Sequence, residues 1–205
     1  MNTTNIFVEL VVIGFHTLIG IGIIVLALVG YRNIETEKLL TINLALPVLA
    51  IAYIFGILID RVSDRIFLAQ DYKMRPAGSE ADLPSFLTMR YYILHKSSDV
   101  YAQLEYIRSR LRIARASVFN FMLMTLALLL FVWFQFGKSF TVQNLIILCA
   151  VILVIGAILT FASHQSWMGL VKSYSISTIR AYTLLREEEV KSGMENKTGK
   201  AKHSA

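Results

Sequence analysis

The sequence predicts an all-α integral membrane protein with four transmembrane helices, in which spans two, three and four extend into a small cytoplasmic helical region. Two observations predict this class. Hydrophobic residues make up 56% of the 205 residues and charged residues only 17%, against about a quarter charged in a typical soluble domain. Charged residues are also absent from four stretches, residues 10–31, 39–59, 116–137 and 139–171.

Each uncharged stretch is long enough for one transmembrane helix. A helix that rises 1.5 Å per residue needs roughly 20 apolar residues to cross the hydrocarbon layer. The first three stretches have about this length, and the fourth holds one span and its flanks. Neither Lys nor Arg precedes the first stretch, which is also too long for a cleaved signal sequence. We therefore expect it to be a retained helix.

The distribution of positive charge predicts the orientation. Seventeen of the 20 Lys and Arg residues lie in segment 61–115 or after residue 171, and three lie in the two short connections. Lys and Arg beside spans concentrate on the cytoplasmic side. We therefore expect a multi-pass protein of the cell inner (plasma) membrane with both termini cytoplasmic. The net charge of +6 then indicates contact with anionic lipid, and nucleic-acid binding is not expected.

The predicted organisation has five parts. Transmembrane helices one and two occupy residues 1–60, and a cytoplasmic helical segment occupies 61–115. Transmembrane helices three and four occupy 116–166. A cytoplasmic helical extension follows in 167–190, and the polar tail 191–205 is expected to be disordered.

Helical spacing continues on the cytoplasmic side of spans three and four. No Pro or Gly interrupts the chain from Ser98 to Gln135, so one helix is expected there, capped by Ser97 or Ser98. Span four should continue to the acidic run at 187–189 and fray there, because acidic residues oppose the helix dipole at its C-terminus. A coiled-coil seam with spacings of three and four precedes span three. It consists of Val100, Leu104, Ile107, Leu111, Ala114 and Val118.

A short additional helix is expected between spans two and three. Span two should continue to about Gln70, and the Pro-Ala-Gly-Ser run at 76–79 should follow its end. Asp82 and Pro84 are suited to begin a helix over Ser85–His95. The apolar surface of this helix suits either the membrane interface or the extended helices, and we favour packing on the helices.

Four polar side chains near or within the spans are candidate functional residues, because polar groups are costly in hydrocarbon. Glu9 and His16 lie nearly two helical turns apart and share one face. They form either a proton- or ion-sensitive stripe facing a pore, or structural contacts to headgroups and a neighbouring helix. The structural alternative is favoured. Asn120 in span three and His164 in span four lie in the cytoplasmic half of the bilayer in this topology.

A cytoplasmic charged collar is expected where the spans enter the membrane. Its two aspartates are four residues apart, as are its first two arginines, so each pair shares a helix face. Its other three arginines form a basic stripe. The collar is either a charged ring at a channel mouth or a set of salt bridges that holds helices in register, and we favour the salt bridges. Its members are Asp60, Arg61, Asp64, Arg65, Arg108, Arg112 and Arg115.

No motif indicates catalysis, so we expect no enzymatic activity, no cofactor and no metal site. Arg90 and His95 have the Arg-x4-His spacing of some ribonucleases, but the helical domain that would support it is missing. The single cysteine, Cys149, excludes a disulfide within the chain.

Two functions are open. The first is a homo-oligomeric, pore- or channel-like membrane effector, an architecture similar to that of small effectors of bacterial stress or antiviral defence systems. The alternative is a membrane-anchored interaction module whose cytoplasmic helices dock a soluble protein partner. A transporter ranks below both, because the two halves of the chain do not resemble each other.

Overall fold

The structure, a computed structural model, describes residues 3–30, 45–74, 84–137 and 139–203, and among these it places the side chains of 6–30, 45–71, 73, 84–137 and 139–194. The described chain forms five helices and contains no strand. They are α1 (Thr3–Val29), α2 (Ala45–Met74), α3 (Phe86–Lys96), α4 (Ser98–Phe136) and α5 (Val142–His203). All except α3 are long and apolar enough to cross a membrane. The predicted all-helical class with four such helices is therefore confirmed.

The main contacts of the four long helices follow the order α2, α1, α4, α5, which we call the row, and α2 also contacts α4 and α5. Glycines bring α1 and α2 close together. A Cβ added at Gly14 would overlap the carbonyl oxygen of Ala52, and one at Gly56 would overlap that of Leu10. Small residues at such positions let helix backbones approach and gain van der Waals contact.

Two halves differ along the length of the row. The apolar half comprises residues 10–29, 45–59, 116–136 and 142–166, and the charged half comprises residues 60–74, 86–115 and 167–194. The main hydrophobic core lies in the charged half, where α3 packs on α4 and α5. The expected packing of the short helix on the extended helices is confirmed. The core consists of Met89, Ile93, Leu104, Leu111, Trp167, Val171, Tyr174 and Tyr182.

Helix α3 begins one residue later than expected and has a different cap. Ser85 is its N-cap, and the Ser85 hydroxyl accepts a hydrogen bond from the backbone N–H of Thr88 at 3.3 Å. Pro84 therefore precedes the cap. A serine hydroxyl satisfies one of the free N–H groups of the first turn. The expected cap, Asp82, and the run at 76–79 lie outside the described residues.

The direction of α3 follows from its partners on α5. Near its start, the rings of Phe86 and Tyr174 lie 5.6 Å apart. At its end, Lys96 Nζ lies 2.6 Å from Glu189 Oε1. Later residues of α3 therefore contact later residues of α5. Helix α3 thus runs parallel to α5 and points away from the apolar half.

Helices α4 and α5 are continuous across the boundary between the halves. Helix α4 has 39 residues with Ser97 as its N-cap, which confirms the single long helix and its cap. Helix α5 has 62 residues and continues through the acidic run to His203. The expected fraying at 187–189 is therefore absent, and the segment expected to be a disordered tail is helical as far as His203. Lys96 and Tyr92 of α3 both donate to Glu189 there, which offsets the unfavourable charge.

Candidate functional site

A cluster of buried charges joins three helices at the boundary of the two halves. Arg115 on α4 donates from Nη1 to Asp64 Oδ1 at 2.5 Å and from Nη2 to Asp60 Oδ1 at 3.2 Å. Both acceptors lie on α2, one helical turn apart, so one guanidinium reaches both. Arg112, one turn before Arg115, lies 3.7 Å from Asp60 Oδ2 and 3.6 Å from Glu9 Oε2 of α1.

The ion pairs of this cluster hold α1, α2 and α4 in one position relative to one another. Glu9, Asp60 and Arg115 are each buried. Removing one partner from such a set leaves an uncompensated buried charge, which typically costs about 3–5 kcal/mol. The contacts agree with the salt-bridge alternative for the collar, and they add Glu9 as a member from α1.

The remaining collar arginines are arranged differently. Arg108 lies 3.5 Å from Glu105 on its own helix. Arg61 and Arg65 are exposed, and neither forms an ion pair within the part of the chain that the structure describes. The structure therefore joins four of the seven collar residues in one cluster. Arg61, Arg65 and Arg108 lie outside that cluster.

A polar cavity of about 310 Å³ lies beside the cluster, between α2, α4 and α5. Arg61, Asp71 and the two aspartates of the cluster border it on α2, and Arg108 and the two arginines of the cluster border it on α4. Tyr174 and Ser175 close it on α5. Both of these side chains are buried, and their hydroxyls have no hydrogen-bond partner among the described residues. The sequence did not indicate either residue, because a Tyr-Ser pair inside an amphipathic helix carries no distinguishing pattern.

A third buried carboxylate, that of Glu105 on α4, pairs with α3. Glu105 Oε1 accepts from Arg90 Nη2 at 2.7 Å, and Arg90 also donates to the Tyr101 hydroxyl at 3.4 Å. Glu105 is buried. In the sequence, Glu105 is followed by four arginines with no other acidic residue among them, and this pattern could have indicated that Glu105 is paired. The charge of Arg90 on α3 is therefore neutralised by Glu105, while His95 is exposed at the end of that helix.

In the apolar half, Asn120 links α4 to α1. Asn120 Oδ1 accepts from Thr17 Oγ1 at 2.9 Å, and Asn120 Nδ2 donates to the Ile13 carbonyl at 3.0 Å. All four hydrogen-bonding groups belong to one copy of the chain. Thr17 was missed in the sequence, because threonine is frequent in apolar helices and its hydroxyl usually bonds its own backbone.

The two histidines occupy separate positions. His16 Nδ1 bonds the Val12 carbonyl of its own helix at 2.8 Å. The His164 ring lies 5.5 Å from that of Trp167 and 6.3 Å from that of Phe67. No hydrogen bond or ring contact within the described chain joins His16 or His164 to Glu9 or Asn120, so these four candidates do not form one site.

Comparison with known proteins yields no matching family model, no matching curated protein and no matching solved structure. The fold and the site therefore define only the structural class of the protein. The chain is an all-helical protein with four helices long and apolar enough to cross a membrane, and a polar cavity lies beside a buried charge cluster.

Proposed function

We propose that this chain is a multi-pass inner-membrane protein that acts as a membrane-anchored interaction module. The apolar half anchors it, and the charged half docks a soluble protein in the cytoplasm. One observation carries the proposal. The central polar groups of the apolar half are paired within a single copy, whereas the charged half presents an exposed apolar stripe on a rigidly held helix.

Membrane insertion accounts for the surface of the apolar half. Only 6% of the most apolar stretch of α5 is buried within the chain. A continuous apolar surface of this kind is unfavourable in water and is expected against lipid. The excess of Lys and Arg in the charged half supports a cytoplasmic position for that half. The outward-facing residues of α5 include Ile146, Ile147, Val151, Val154, Ile158 and Phe161.

The same surface gives little support to a pore. A water-filled conduit needs polar groups along its lining. Thr17 and Asn120 bond each other, and His16 bonds its own helix. Gln135 of α4 donates to the Ala27 carbonyl of α1 at 2.7 Å. These groups are therefore already engaged and do not form a polar stripe on the outside of the row.

The stripe suited to docking lies on the outer face of α3. Leu87, Tyr91 and Leu94 are spaced by four and three residues and are 59%, 64% and 44% exposed. The opposite face is fixed in the core by Met89 and Ile93. Because α3 points away from the apolar half, its outer face meets cytosol in the proposed topology and not lipid.

The pairing of the basic residues of α3 indicates the chemistry of the partner. Arg90 is paired with Glu105 and Lys96 with Glu189, so the outer face of α3 keeps little unpaired charge. An amphipathic helix that lays its apolar face against the stripe would be complementary. We therefore propose an amphipathic helix of a soluble protein as the occupant.

Ion flux from liposomes tests docking against the pore. The purified chain, reconstituted in liposomes with an ion-sensitive dye, is expected to leak no more than empty liposomes. A leak that changes with Glu9→Gln or His16→Ala would overturn the proposal in favour of the homo-oligomeric pore. The exposed surface of α5 makes that the second candidate, because several copies could associate through it.

Site-specific photo-crosslinking tests the stripe itself. A photoreactive amino acid in place of Tyr91 should capture a cytosolic protein through an amphipathic helical segment. The same group in place of Tyr106, which is equally exposed on α4, is the matched control. Leu94→Ser should abolish binding of that protein once purified. Capture of a second copy of this chain, or equal capture at both positions, contradicts the proposal.

A further inference from the structure

Two residues that line the cavity beside the charge cluster have buried hydroxyl groups that the chain itself leaves without a partner. Tyr174 is 6% exposed and Ser175 is 1% exposed, and neither hydroxyl has a hydrogen-bond partner among the described residues. A buried polar group without a partner is destabilising and is rare in folded proteins. A ligand in the cavity that draws either side chain toward it would satisfy that hydroxyl.

The arginines around the cavity have N–H groups to spare. Arg61 forms no ion pair among the described residues. Arg108 lies 3.5 Å from its carboxylate, and Arg112 lies 3.6 Å and 3.7 Å from its two carboxylates. These separations are longer than hydrogen bonds.

Three carboxylates border the same cavity. Asp60 and Asp64 both accept from Arg115, and Asp71 also has an interaction within the chain. The donors beside them are guanidinium N–H groups from α2 and α4 and the hydroxyls of α5.

From this arrangement we propose that the cavity binds a phosphate group, carried either by a soluble phosphorylated molecule or by an anionic lipid headgroup. A phosphate presents several acceptor oxygens in different directions, and here donors converge from three helices. Arginine is suited to phosphate because its planar guanidinium donates two parallel hydrogen bonds. The volume of about 310 Å³ admits a phosphate with a small organic group attached.

Both sources of phosphate can reach this position. Asp60 directly follows the uncharged stretch 39–59, and Arg115 directly precedes the uncharged stretch 116–137. In the proposed topology the cavity therefore lies at the depth of the cytoplasmic headgroups, where basic pockets between helices bind anionic lipids. Only the lipid source depends on the proposed function, since soluble phosphate binding requires no membrane.

The test is thermal unfolding of the purified full chain in neutral detergent. One titration adds inorganic phosphate at constant ionic strength, balanced with sodium chloride. The other adds phosphatidylglycerol to the micelles, with phosphatidylcholine as its reference. We expect a saturable rise in the unfolding midpoint in at least one titration. A rise with inorganic phosphate indicates a soluble ligand, and a rise with phosphatidylglycerol alone indicates a headgroup.

Two variants and two matched controls assign the effect to the cavity. Arg108→Gln should weaken the apparent affinity by about tenfold or more, as expected for a lost charged hydrogen bond. Tyr174→Phe removes a single oxygen and keeps the core shape. It should weaken affinity several-fold without lowering the midpoint of the ligand-free protein. Arg110→Gln and Tyr106→Phe, exposed residues on α4 outside the cavity, should match the wild type.

Two results overturn the inference. One is the absence of any saturable shift with both inorganic phosphate and phosphatidylglycerol, in which case the cavity holds solvent only. The other is an equal loss in Arg108→Gln and Arg110→Gln, which would indicate a general charge effect. Either result leaves the docking proposal standing, because flux and crosslinking at α3 do not depend on phosphate.

Discussion

The apolar and charged halves are held together by different means. In the apolar half, glycines allow close backbone approach and most large side chains face outward. In the charged half, aromatic and aliphatic side chains of three helices form a buried core. The same helices, α4 and α5, pass through both halves. The hydrophobicity of a helix segment therefore does not reveal where its buried contacts lie, because lipid takes the place of a core partner in the proposed membrane.

The contrast is sharpest along α5. Of the residues in its most apolar stretch, 6% are buried. In the corresponding stretch of α1, which lies between α2 and α4, 33% are buried. Beyond residue 166, the same helix contributes Trp167, Val171 and Tyr174 to the core, each almost fully buried. Helix α5 therefore gains its main protein contacts from its less hydrophobic part.

The largest effect is expected at the boundary between the halves. Arg115→Ala would leave Asp60 buried without its closest cation, at a cost of about 3–5 kcal/mol of unfolding free energy. Chemical unfolding in mild detergent, followed by circular dichroism, measures this. Arg65→Ala, an exposed arginine without an ion pair in the described chain, is the control and should change stability by less than about 0.5 kcal/mol. Equal effects of the two variants would show that the cluster does not join the helices.

A matched pair of isoleucines tests the difference between the halves directly. Ile93 is fully buried in the charged half, while Ile155 is 53% exposed in the apolar half. Ile93→Ala should cost about 2–5 kcal/mol. Ile155→Ala should change the free energy of unfolding in detergent very little, although Ile155 lies in the more hydrophobic segment. A larger loss from Ile155→Ala would mean that another protein surface covers α5.

Glycine substitutions test the close approach in the apolar half. A Cβ at Gly56 would overlap backbone atoms of Leu10, which cannot move without shifting α1. Gly56→Ala should therefore cost about 1–3 kcal/mol, the usual range for overpacking. Gly22→Ala has open space around its Cβ and should be neutral or slightly stabilising, since alanine favours helix. The thermal midpoints of the two variants in one detergent provide the comparison.

The sequence predicted the helices better than their contacts, for a physical reason. Charge-free stretches and unbroken helical spacing depend on neighbouring residues, so the span positions and the capped α4 helix were accessible. The pairing of Asp60 with Arg115 was anticipated because both fall at the same depth. The facing of Gly14 and Gly56, the burial of Glu105 and the convergence of Tyr174 and Ser175 on the cavity depend on how helices rotate and cross. One sequence does not encode these in any local pattern.

The interhelical hydrogen bond in the apolar half should have a smaller effect. Asn120→Ala removes its bonds to Thr17 and to the Ile13 carbonyl. Such bonds average about 0.6 kcal/mol in membrane proteins, so the loss should be about 1 kcal/mol for the two together. Thr125→Val is the control, because the Thr125 hydroxyl bonds only the Phe121 carbonyl of its own helix in the described structure. A loss above about 3 kcal/mol would point to a role beyond helix association.

The smallest effect is expected at the far end of the charged half, where α3 meets the acidic run of α5. The Tyr92 hydroxyl donates to Glu189 Oε2 at 2.7 Å, and this hydrogen bond raises the pKa of Tyr92 to about 12 from an ordinary value of 10.0. A raised pKa in the folded state means that the contact is fully present below pH 10 and is lost as the pH rises through about 12. Phenolate absorbance, taken as wild type minus Tyr92→Phe, should therefore titrate near pH 12. With Glu189→Gln the midpoint should fall toward 10, whereas Glu188→Gln should leave it unchanged. Equal midpoints in the two glutamine variants would mean that α3 is not held to α5 at this point, and that the continuation of α5 past its acidic run has another cause.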